Sequence, residues 1–179
     1  MTAIVAIVHK GKTWMGGDSA ATNSWGEISS VVDPKVFLKG IFIIGVAGSP
    51  RVGNLLLHKF VPPEPHTDSV SEYMVTDFVD AMRECLKNGG IASNENNVES
   101  TPAEMLVGVA GHLFSVMGWD FQVTSPACGY EAIGTGGAYA LGSLFSTQKR
   151  SPQARIQLAL EAAQQHMASV RGPFFIGRV

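Results

Sequence analysis

Sulfur chemistry and long apolar runs are both scarce in this chain. Its two cysteines, Cys85 and Cys128, are too few for a disulfide framework, and their spacing matches no metal pattern. The five histidines (His9, His58, His66, His112, His166) are dispersed without ligand-like spacing, so no metal centre is expected. No segment approaches the roughly 20 consecutive apolar residues that cross a bilayer. The opening apolar run stops at Val8 and has no basic leader, so a cytoplasmic location is expected. No Gly-x-Ser-x-Gly elbow occurs, which removes the usual serine-hydrolase nucleophile. Gly134-Thr135-Gly136-Gly137 begins like a dinucleotide fingerprint, but Tyr139 stands where its third glycine belongs. That stretch reads as a helix entry, and no cofactor is expected. With 13 basic and 15 acidic residues the net charge is −2, which gives no general attraction to nucleic acid or anionic membranes.

What the chain does have is 45% apolar residues over 179 positions, enough for one domain spanning 1–179. Ala3–Val8 is β-branched and apolar. It turns through His9-Lys10-Gly11-Lys12 into Thr13–Gly16, a hairpin pattern. Asn23–Ser30 reads as a polar loop. Val36–Leu38 and Ile41–Val46 make a second hairpin over Lys39-Gly40. Ser49-Pro50 then carries the N-cap and first-turn proline signal of a helix with Val52, Leu55, Leu56 and Phe60 on one face. Asp68 or Ser69 caps a longer helix that stops at Gly89-Gly90. Ile91–Pro102, rich in Asn, Ser and Glu, reads as a mobile surface loop. Met105–Val109 and Leu113–Met117 form a third hairpin, with a short strand at Phe121–Val123. Glu131–Ile133 leads into a helix carrying Ala138, Leu141, Leu144 and Phe145. Ser151-Pro152 opens the last helix, and Phe174–Ile176 closes with a strand. Hairpins separated by helix pairs favour antiparallel sheets covered by helices, an α+β layered domain.

Thr2 is the residue with chemistry to offer. Once Met1 is removed, Thr2 carries a hydroxyl and a free α-amine together. An adjacent amine is a recognised general base for a weak oxygen nucleophile. With a reference pKa of roughly 7.7–8.0, that amine is partly neutral near pH 7. Removal of Met1 by an aminopeptidase is the expected route, since no self-cleaved propeptide precedes Thr2 in this sequence. Taken singly, Thr2 is only the residue before a strand, Asp18 a turn acid and Lys35 a solvated lysine.

In order and spacing, the motifs resemble the proteasome β-subunit family of N-terminal nucleophile hydrolases, in particular its bacterial heat-shock locus V type. The likeness runs through Thr2-Ala3-Ile4-Val5, Gly17-Asp18-Ser19-Ala20-Ala21-Thr22, Pro34-Lys35-Val36, Val46-Ala47-Gly48-Ser49 and Ile133-Gly134-Thr135-Gly136-Gly137. The resemblance implies a four-layer αββα sandwich, two antiparallel sheets between helix pairs. It also implies homo-oligomeric stacked rings of about six or seven subunits, a protein or peptide substrate, and an ATP-driven unfoldase as a possible partner. By position it makes Thr2 the nucleophile, Asp18 and Lys35 the buried acid–lysine pair, and Gly48 the oxyanion donor. Thr135 takes the place of a serine near the terminal amine. Thr22 would hold substrate backbone, and Ala21, Val32 and Val46 would line a small apolar specificity pocket. The family's second acid and serine have no counterpart in the motif pattern; Gln164, Gln165, His166 and Ser169 occupy that region. The reading is a threonine endopeptidase. A ring-forming homologue without activity and an amidase for small amides stand as alternatives.

Overall fold

The computed structural model describes residues 2–23 and 25–179. The expected removal of Met1 falls outside the described residues, as does Ser24 of the 23–30 segment. Strands β1 (Ile4–His9) and β2 (Lys12–Gly17) form the first hairpin, with Ile4 opposite Gly17 and Ile7 opposite Trp14. Its two-residue turn places Lys10 at φ 49° and Gly11 at φ 70°, the left-handed values that match the twist of the paired strands. On the far side of β1 lies β12 (Tyr130–Ile133), and on the far side of β2 lies β13 (Phe175–Arg178). The first sheet is therefore β12-β1-β2-β13, antiparallel throughout.

The second sheet is built from β5 (Val36–Lys39), β6 (Phe42–Gly48), β9 (Ala103–Val109), β10 (His112–Val116) and β11 (Val123–Thr124), in the order β11-β10-β9-β6-β5. Helices cover the outer face of each sheet. Helix α1 (Pro50–His58), with α2 (Val70–Tyr73) and α3 (Val79–Asn88), packs Leu56, Tyr73 and Met82 against Ile44 and Val107 of the second sheet. Helices α4 (Gly137–Ser146) and α5 (Pro152–His166) pack Leu144, Ile156 and Leu160 against Val5 and Ile7 of the first. Between the sheets Ile4, Ala6, Met15, Ile43 and Leu106 make a third cluster. Each side chain of this size is worth roughly 1.5–3 kcal/mol when buried. Side chains alternate across a strand, so β1 sends Ile4 and Ala6 to one core and Val5 and Ile7 to the other. This is why its run is apolar throughout rather than at every second residue. The four-layer αββα expectation holds.

Several local readings are corrected. The stretch read as a loop over 23–30 contains β4 (Ile28–Ser30), which pairs with β3 (Ala20–Thr22). The mobile loop expected over 91–102 is instead a hairpin, β7 (Ser93–Glu95) and β8 (Val98–Ser100), turned by Asn96 and Asn97 at φ 51° and 63°. Asparagine tolerates those angles, so the polar pair is a turn signal. The helix read from 69 onwards is interrupted by a π-type turn over Met74–Phe78. Ser49 sits at the N-cap, but its side chain makes no cap bond. Helix α4 buries Gly137, Ala140 and Leu144, whereas Ala138 and Phe145, read as apolar-face residues, are exposed. Among the described residues no helix is long and apolar enough to cross a membrane.

Candidate active site

The site forms where the end of β2, the start of β5 and the β12–α4 junction meet the chain just before β1. Thr2 is 3% exposed. Its backbone N–H donates to Thr135 Oγ1 at 3.3 Å, and its carbonyl accepts the Gly136 N–H at 3.2 Å. This close approach needs Gly134, at φ 86°, because a Cβ there would strike the Thr2 carbonyl oxygen. The Gly134–Gly137 run is therefore a cradle for the Thr2 backbone before it is a helix entry. No described partner binds the Thr2 hydroxyl.

Asp18 follows β2 directly and continues its ladder, donating its own N–H to the Ala3 carbonyl at 3.3 Å. Its side chain has no exposed surface. Oδ1 accepts the Ala3 N–H at 3.0 Å and the Lys35 ammonium at 2.9 Å; Oδ2 accepts the Ala20 N–H at 3.1 Å and the Arg171 N–H at 3.5 Å. A buried carboxylate requires this degree of satisfaction. Lys35 is fixed by the β5–β6 hairpin, since its carbonyl accepts the Val46 N–H at 2.9 Å. Packing of the two sheets thus joins an acid from one to a lysine from the other.

Gly48 ends β6 with an exposed backbone at φ 127°, and a Cβ there would collide with the Pro102 carbonyl. The adjacent Ser49 N–H is held by that same carbonyl at 2.9 Å. Thr2, Gly48, Gly134 and Thr135 share one cavity of about 1230 Å³, which residues of the β7–β8 hairpin also line. Lys35 and Asp18 lie behind Thr2 and do not line it. Nor do the residues expected to touch substrate: Ala21 and Thr22 lie half-buried on β3, Val46 is buried, and Val32 is fully exposed. Thr2, Asp18, Lys35, Gly48 and Thr135 are brought together, whereas the four residues expected to touch substrate lie outside the cavity lining.

The segment after α5 supplies what the motifs missed. Arg171 caps the helix, its Nη1 donating to the carbonyls of Gln164, Met167 and Val170 at 3.1, 3.1 and 2.8 Å. Its backbone N–H meets Asp18 as described, and its carbonyl takes the Ser19 N–H at 3.1 Å. Gln164 accepts the Gly172 N–H at 2.9 Å, and His166 stacks on Tyr139. Ser169 is 3% exposed, with no described partner for its hydroxyl. A basic residue just past a helix end was the available signal. Among the described residues no three His, Cys, Asp or Glu side chains gather to hold a metal ion.

Two antiparallel sheets between helix pairs, with the chain start held at their edge, are the proteasome-type N-terminal nucleophile hydrolase fold. Among solved structures, BPH of Thiobacillus denitrificans in complex with epoxomicin is similar at TM-score 0.82 and 19% identity, over 99% of this chain and 98% of that one. A eukaryotic HslV from Trypanosoma brucei gives TM-score 0.69 and 15% identity, over 99% and 98% of the two chains. Anbu, described as an ancestral beta-subunit, from Yersinia bercovieri gives 0.67 and 15%, over 99% and 81%. At these identities the likeness is one of fold. No family model matches the sequence, and no curated protein matches it.

Proposed function

We propose that this chain is a threonine peptidase working from Thr2. The observation that carries the reading is the unpartnered Thr2 hydroxyl in a cavity, with a buried Asp18–Lys35 pair behind it and the Thr135 hydroxyl on its nitrogen. With a free α-amine, Thr2 Oγ attacks a peptide carbonyl carbon and its proton passes to that amine. Lys35 lowers the cost of negative charge on Oγ, and Asp18 keeps the lysine charged and oriented. The Gly48 N–H serves the developing oxyanion. The C–N bond breaks as the ammonium protonates the leaving amine, and an ester to Thr2 remains. Water then adds to the ester, giving its proton to the amine, and the acid departs with Thr2 restored.

Self-association into stacked rings belongs to the same proposal. It is supported by large apolar side chains left in solvent on one chain: Val32 at 101%, Trp25 at 87%, Val61 at 77% and Phe145 at 68% exposure. An ATP-driven unfoldase as partner and a cytoplasmic location complete it.

The test is the intact mass of the protein before and after treatment with a peptide epoxyketone. The reagent needs both the hydroxyl and the free amine of Thr2 to close its adduct. One adduct per chain, absent in a folded Thr2→Ala variant that also fails to cleave peptides, is the expected result. A chain that starts at Thr2 yet stays unlabelled overturns the reading in favour of a ring-forming homologue without activity. Turnover of small amides with peptides untouched would make it an amidase.

A further inference from the structure

The charged side chains lining the Thr2 cavity are all of one sign. Strand side chains alternate, so the register of the hairpin decides which residues meet the cavity. Ser93 pairs with Ser100 and Glu95 with Val98, and these four line the cavity. Asn94 and Glu99, also paired, do not. Glu99 turns the other way and is held by Arg83 at 2.7 Å. Glu104 of β9 supplies a second carboxylate to the lining. No lysine, arginine or histidine lines it. Neither Glu95 nor Glu104 has a hydrogen-bond or ion-pair partner among the described residues. The Thr2 hydroxyl, likewise unpartnered on a residue that is 3% exposed, opens onto the same space.

We propose that the β7–β8 hairpin is a specificity wall of the Thr2 site, with Glu95 and Glu104 selecting substrates that carry a lysine- or arginine-like side chain. The inference rests on Thr2 being the attacking residue. The hairpin is fastened to the body by the Arg83–Glu99 pair and internally by Ser93 Oγ and Ser100 Oγ at 3.0 Å. Glu95 is thus presented on a fastened hairpin, and Glu104 on strand β9 of the second sheet. A cationic side chain entering here meets two acceptors that have no other partner, whereas a carboxylate meets repulsion from both.

The experiment separates selectivity from catalysis. Peptides identical except for one arginine or its neutral isostere citrulline, stepped along both sides of the cleaved bond, are titrated by fluorescence anisotropy against Thr2→Ala protein. At the position that reaches the hairpin, arginine should bind about fivefold tighter than citrulline, and the preference should shrink at high salt. Glu95→Gln with Glu104→Gln should abolish it, while Glu161→Gln, a carboxylate lost from α5 outside the cavity lining, should not. Equal affinities at every position, or a preference that survives loss of both carboxylates in protein of unchanged circular dichroism, overturns the proposal. Turnover of the citrulline peptides by the unsubstituted protein is read separately, and its absence tells against Thr2 as nucleophile rather than against the wall.

Discussion

Lys35 donates to Asp18 Oδ1 at 2.9 Å, and the lysine side chain is 14% exposed while the carboxylate is fully buried. The asymmetry sets the expected cost of breaking the pair. Lys35→Met should cost about 3–5 kcal/mol, because a buried charge loses its partner. Asp18→Asn with Lys35→Met should recover part of that loss. Thermal melts of both variants and the parent check it; identical melts for the single and double variants would deny the coupling.

At Gly48 the backbone stands at φ 127°, closed against Pro102. Gly48→Ala should therefore cost roughly 1–3 kcal/mol in stability through strain. Peptide turnover should fall by about 10²–10³ as the oxyanion donor moves. Gly53, on α1 with open space around it, is the control: Gly53→Ala should be neutral or stabilising by up to about 1 kcal/mol. Urea titrations together with steady-state kinetics read both.

The hydroxyl of Thr135 meets the Thr2 nitrogen at 3.3 Å. Thr135→Ser keeps this contact and should retain most activity. Thr135→Ala removes it and should lower kcat by roughly 10–100-fold, with the pH optimum displaced because the amine has lost a neighbour. A pH–rate profile of the two variants distinguishes this role from simple packing.

Far from the site, Tyr73 is pushed up to about 12, first by burial and then by Asp77 and Glu64. Its hydroxyl donates to the Pro63 carbonyl at 2.8 Å. The folded state therefore holds the proton more tightly than the unfolded chain, whose tyrosine titrates near 10. That contribution is whole below pH ~10 and is lost as pH rises through about 12, a change of order 1 kcal/mol. Comparing alkaline melts of the parent and Tyr73→Phe isolates it; parallel curves would refute it.

Most of the layer plan was legible because the hairpins β1–β2, β5–β6 and β9–β10 form the centres of the two sheets, and because Ser49-Pro50 and Ser151-Pro152 mark helix starts in the chain itself. The Asp18, Lys35 and Thr135 set was legible through motif order. What escaped was polar or remote. The Asn96-Asn97 turn and the three-residue strands beside it have no apolar periodicity, so they read as loop. The π-type turn at Met74–Phe78 leaves no mark on residue spacing that separates it from ordinary helix. Arg171 reaches Asp18 through backbone alone, across 153 positions, and a main-chain donor has no residue-type signature. Ala21, Thr22, Val32 and Val46 were expected from positional likeness to touch substrate, and none of them lines the cavity that holds Thr2.

The grip on Thr2 falls on its carbonyl, through Gly136, and on the next amide, through Asp18. Both holds lie on the C-terminal side of the bond that a maturing enzyme would cut. Severing that bond leaves both of these holds in place. A terminus exposed there would keep both holds on its carbonyl side, and its nitrogen would gain the capacity to accept a proton.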